Sequence, residues 1–125
     1  MKVNLRVLPG LFTIHRFSPN QKIPKQVYES QFYSISRSED ELSIVCSSSV
    51  LIASQKAESG WSCIQVLGPL DFSLTGILAD ISAALANRTI SIFAVSTFDT
   101  DYVLVKSDKR KDAQKALRQA GYTFT

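Results

Sequence analysis

From residue 61 to the end of the chain the spacing of apolar residues switches repeatedly between the period of a strand and that of a helix. The order of those switches leaves little freedom of fold. "WSCIQVL", 61–67, has strand character. In 73–87, Leu74, Ile77, Leu78, Ile81 and Leu85 recur at i, i+3, i+4, i+7 and i+11, which predicts a helix with Gly76 inside its first turn. Asp71 or Ser73 is placed to cap its exposed N–H groups. "TISIFAVS" and "DYVLVK" flank the polar "TFDT" as a hairpin. Helical spacing returns over 109–120 with Ala113, Ala116, Leu117 and Ala120, with Asp108 as N-cap and Gly121 as stop. "YTFT" is a final short strand. The series is β-α-β-β-α-β, an α+β, ferredoxin-like module in which two helices cover one face of an antiparallel sheet.

The upstream half reads as a degenerate copy. Val3, Leu5 and Val7 alternate with polar residues before the Pro9-Gly10 turn, and "LFTIHRF", 11–17, is a second strand. "SPNQKIPKQ", 18–26, has two prolines and no helical stripe, so it is a loop or at most one turn. "QFYSIS" and "ELSIVC" form a hairpin across "RSED". Ser38 and Glu41 also fit a capping box, but the β-branched residues after Glu41 favour the strand. "SSSVLIASQ" reads as a short helix and "KAESG" as a turn. Shifted by 60 places, "FYSISRSEDELSIVC" lies on "IFAVSTFDTDYVLVK", with the apolar pattern, the polar turn and two acids in register. Two tandem modules follow, residues 1–60 with shortened helices and 61–125 complete.

A chain of 125 residues holds one compact unit or two small ones, and 45% hydrophobic with 20% charged residues is the composition of a chain that folds. The net charge of +3 is unevenly placed. Residues 1–30 and 106–125 are basic and the middle is acidic. In the basic tail Asp108 and Asp112 interrupt an amphipathic pattern, as on a solvated helix face, so neither nucleic acid nor membrane is the expected partner. "MKVNLRVLPG" has no apolar run followed by a cleavage site, and the most apolar stretch carries Asp99 and Asp101, which argues against a transmembrane span. Cys46 and Cys63 read as reduced core residues, so a cytoplasmic protein is expected.

Catalytic signatures are missing. "GPLDFSLTG" has no G-x-S-x-G, the lone His15 lies in a strand far from Ser73, and Asp99 and Asp101 straddle a turn rather than face each other across a cleft. Neither cysteine has a C-x-x-C partner, and no phosphate or dinucleotide fingerprint occurs. No enzyme, metal or cofactor is expected. Tyr33 and Phe93 occupy matching places on the two copies, yet the aromatic pattern of an RNA-binding sheet is absent. Trp61 and Phe72 read as core or interface anchors.

The segment from "WSCIQVLGPLDFSLTG" through "STFDTDYVLVK" resembles an ACT domain, the small-ligand regulatory module of amino-acid metabolism. With "FYSISRSEDELSIVC" added, the chain is similar over about residues 8–125 to short tandem-ACT proteins related to the cytosolic arginine sensor and to the regulatory region of aspartokinase. The resemblance implies a non-catalytic homodimer that binds an amino acid or similar small zwitterion where the loop after the first strand meets a neighbouring module. By position that loop is Asp71, Phe72, Ser73, Leu74, Thr75, Gly76 and Ile77, and the facing segment is 96–101, in which Thr97 and Asp101 match residues lining the sensor's site. Leu74 stands where the sensor has an acid, so the fold and the place of the site carry over better than the ligand. An ACT module that associates without a ligand is the alternative.

The residues themselves agree with this expectation without requiring it. Unpaired N–H groups at a helix N-terminus suit a carboxylate, a glycine lets a ligand or a backbone approach, and an aspartate suits an ammonium. The same residues are also ordinary caps and turn formers.

Overall fold

The computed structural model describes residues 3–67 and 76–125. Contacts divide the chain into two compact units, Gly10–Trp61 and a second made of Met1–Pro9 with Ser62–Thr125. The first strand therefore joins the later residues rather than its neighbours in sequence.

In the first of these units β2 (Phe12–Phe17) pairs antiparallel with β4 (Leu42–Ser47), which pairs with β3 (Ser34–Arg37). The β3–β4 hairpin matches the expectation for "RSED". The Ser38 hydroxyl accepts from the backbone N–H groups of Asp40 and Glu41, at 3.2 and 3.3 Å, and so closes a turn where a capping box would have begun a helix. Phe17, Val27, Leu42, Ile44, Cys46 and Val50 form the core, with Val27 supplied by a single 3-10 turn, Lys25–Glu29.

Two expectations fail here. Residues 51–54 have no helix: Val50 is buried and Leu51 exposed, with Ile52 packed against the core, which is the alternation of an extended chain. "KAESG" is the beginning of β5 (Lys56–Val66), not a turn. Its glycine marks a bulge instead. Phe12 opposes Trp61 but Ile14 opposes Glu58, one residue out of step, and Gly60 takes a φ of +80° that lets the strand absorb the extra residue.

The other unit contains β1 (Asn4–Val7), the C-terminal half of β5, α1 (Ile77–Ala86), β6 (Ile92–Ser96), β7 (Asp101–Lys106), α2 (Arg110–Gln119) and β8 (Thr123–Phe124). The β6–β7 hairpin, both helices and the final strand follow the sequence pattern. β7 pairs with both β5 and β6. β1 enters between β5 and β8, antiparallel to the former through Leu5–Val66 and parallel to the latter through Leu5–Phe124. The sheet is thus not built from residues 61–125 alone.

Helix α1 buries Ile81 and Leu85, and α2 buries Ala113, Ala116 and Leu117, against Leu5, Ile64, Val66, Val103 and Val105. Small alanines on α2 let its backbone come close. Gly121, at φ +102°, ends α2 as expected. At the other end the cap differs from expectation, because Asp108 lies within a 3-10 turn, Ser107–Lys109, and makes no side-chain cap bond. The N–H of Arg110 is satisfied instead by the carbonyl of Ser107.

Candidate functional site

The candidate residues lie in the unit containing both helices. Gly76 is not inside the first turn of α1 but precedes it, as the N-cap residue, with φ +86° and ψ 1°. A left-handed residue cannot continue a right-handed helix, so α1 begins at Ile77. Among the described residues, a Cβ on Gly76 would meet nothing within 4 Å, and no side chain makes a cap bond to the helix. The Asp80 N–H bonds to the Gly76 carbonyl at 2.8 Å, closing the first turn. The partly buried Ile77 side chain packs against the core. Asp71, Phe72, Ser73, Leu74 and Thr75, with the caps expected from Asp71 and Ser73, lie outside the described residues.

The hairpin turn between β6 and β7 is built from its own side chains. The Thr97 hydroxyl donates to the Thr100 carbonyl at 2.9 Å and accepts from the Thr100 N–H at 3.2 Å, while the Thr97 N–H reaches the same carbonyl at 2.8 Å. Thr97 therefore shapes the turn before it can offer anything to a ligand. Asp101 starts β7 opposite Ser96 and is half-buried. Thr100, which nothing in the pattern singled out, donates its hydroxyl to the Val66 carbonyl. That bond ties the 97–101 turn to the end of β5.

A second link missed in the sequence lies beside the start of α1. The Tyr122 hydroxyl donates to Asp80 Oδ2 at 2.7 Å. Burial raises the pKa of Tyr122 well above the usual tyrosine range, and the hydrogen bond and negative charge of Asp80 push it the same way. Asp80 also complements the partial positive charge at the helix N-terminus. The two residues are 42 positions apart, so no local spacing announces the pair.

Among the described residues no three of His, Cys, Asp and Glu are grouped to hold a metal, and no helix is long and apolar enough to cross a membrane. Both cysteines are buried and free, and burial pushes the Cys63 thiol up to about 12, far from a reactive thiolate. His15 belongs to the other unit and is hydrogen-bonded to Ser54.

The sequence profile of a family described as an ACT domain matches residues 56–119. A second profile, described only as an N-terminal domain, matches residues 10–52. The chain has no match among the curated proteins compared. Among solved structures it is similar to a protein from Agobacterium tumefaciens, with 36% identity and a TM-score of 0.92 over 100% of this chain and 93% of that one. The fold also resembles the regulatory subunit of aspartate kinase from Thermus thermophilus in its ligand-free form, with 13% identity, a TM-score of 0.67, and 97% and 99% of the two chains covered. The aspartate kinase of Clostridium acetobutylicum, described as an allosteric enzyme, matches over 93% of this chain and 33% of its own, with 14% identity and a TM-score of 0.67.

Proposed function

We propose, from the premise that the chain belongs to the ACT domain family, that it is a non-catalytic regulatory protein which binds an amino acid or a similar small zwitterion beside the start of α1. The α-carboxylate lies against the N–H groups that follow Gly76, and the ammonium lies toward Asp101. The protein works in the cytoplasm and reports the ligand by a change in its association as a homodimer.

The observation that carries this reading is the bond from Thr100 to the Val66 carbonyl, because it fixes the turn bearing Asp101 at the end of β5, in the same unit as α1. The N-terminus of α1, to which no described side chain makes a cap bond, supplies the donors. No described residue lies within 4 Å of where a Cβ on Gly76 would sit, which leaves a ligand a way to approach them. The likeness to a regulatory subunit supports the regulatory role by analogy of fold.

A thermal-shift screen of the common amino acids tests the proposal. A ligand present at about one hundred times its dissociation constant adds about 2.7 kcal/mol to the stability of the folded state. One amino acid should raise the melting temperature in the native chain and fail to do so in Asp101→Ala. If none does so, the protein is an ACT module that associates without a ligand.

A further inference from the structure

The unit Gly10–Trp61 contains a buried imidazole that the ligand reading leaves unused. His15 is 5% exposed. Its Nδ1 lies 2.9 Å from the Ser54 hydroxyl, and that hydroxyl donates its only proton to the Lys56 carbonyl at 3.1 Å. Ser54 must therefore accept from Nδ1–H, which fixes the neutral tautomer and leaves Nε2 as the bare nitrogen. Nε2 is buried without a hydrogen-bond partner among the described residues. A proton added there would place an N–H donor and a charge where nothing receives them.

Among the described residues no nearby charge offsets this. Across the sheet His15 faces Ile44 of β4 and Ala57 of β5. The flanking Lys56 and Glu58 on β5 oppose Arg16 and Ile14, on the other face. Cys46 is the titratable group on the same face of β4, and burial raises its thiol, keeping it neutral. The 3-10 turn contributes Val27 to the core, with Lys25 and Glu29 exposed. Desolvation accordingly lowers the imidazole below its ordinary value of 6.5.

The bonds of His15 also show which segment would give way. Residues 48–55 carry no ionisable side chain. They are held at one end by Ser48 N–H to the Leu11 carbonyl, just before β2, and by Thr13 of β2 to Ser48, at 2.9 and 2.8 Å. At the other end they are held by Gln55 N–H to the Arg16 carbonyl, at 3.0 Å, and by the His15–Ser54 bond. Between these ends Val50 and Ile52 plug the core.

We propose that residues 48–55 form an acid-released strap, latched on β2 by neutral His15 and set free when that imidazole takes a second proton. Opening hydrates the imidazolium and uncovers the apolar surface beneath Val50 and Ile52. The sign follows from linkage: the open state binds the proton more tightly, so the latch is intact above pH 6.5 and is lost progressively as pH falls below it.

His15 is the single histidine of the chain, so its ring C–H signal is unambiguous in an NMR titration of the unmodified protein. Hydrogen exchange at the Ser48 and Gln55 amides, corrected for intrinsic pH dependence, reads the strap, and the Tyr122 amide serves as the control. Strap opening should increase by up to about tenfold per pH unit below the ordinary histidine value, since one proton is linked to it. The rise should track the His15 titration and leave Tyr122 unchanged. His15→Gln should abolish the pH dependence, and Ser54→Ala should raise exchange at every pH while keeping the slope. A strap profile that does not follow the His15 titration in the native chain, or one that persists in a folded His15→Gln variant, overturns the proposal.

Discussion

At the scale of single residues, Gly76 and Tyr122 bracket the start of α1 from two sides. Gly76 holds φ +86°, and no described residue lies where a Cβ would sit, so the expected cost of a side chain there is backbone strain. Gly76→Ala should lower the unfolding free energy by about 1–2 kcal/mol, and Gly76→Asn by less, because asparagine tolerates the left-handed region. Urea denaturation of the two variants measures the difference. Tyr122 acts through Asp80. Its raised value means that the folded state keeps a proton which the unfolded chain gives up, so its contribution is complete below the ordinary tyrosine value of 10 and lost as pH rises above it. Tyr122→Phe should remove about 1–3 kcal/mol near neutrality. It should also flatten the alkaline limb of the stability curve, read by denaturation between about pH 8 and 11.

At the scale of elements, what could be read in advance is what is local. Ile77, Ile81 and Leu85 on α1, and Ala113, Ala116 and Leu117 on α2, share faces at helical spacing, and those are the faces that meet the core. Leu85→Ala and Leu117→Ala should each cost about 2–5 kcal/mol in equilibrium unfolding, since both side chains are fully buried. What could not be read depends on partners distant in sequence. Lys56, Ala57, Glu58 and Ser59 are all exposed, so no alternation marks them as strand, and it is pairing with β2 that makes them one. Val50, Leu51 and Ile52 look like part of a helical run until the core takes the outer two. The candidate site divides in the same way. Asp101 and Gly76 were recognisable from turn and helix signals, whereas the Thr100–Val66 and Tyr122–Asp80 bonds join residues 34 and 42 places apart.

At the scale of the molecule, the position of β1 decides what can fold by itself. Residues 62–125 spell a strand–helix–strand–strand–helix–strand series, yet β8 pairs with β1, and Val3 and Leu5 lie in the core at 5% and 0% exposure. Those two side chains alone represent about 3–6 kcal/mol of apolar burial, before the ladder bonds to β5 and β8 are counted. A domain's net stability is only about 5–15 kcal/mol. A fragment of residues 56–125 should therefore lack a cooperative melt and show poorly dispersed amide resonances. Adding the peptide 1–9 in trans should restore both, because the gap it fills has a backbone ladder on either side and an apolar floor at Leu5. A fragment that melts cooperatively without the peptide would show that β5 and β8 close on each other directly, and that the inserted strand is dispensable to the unit it completes.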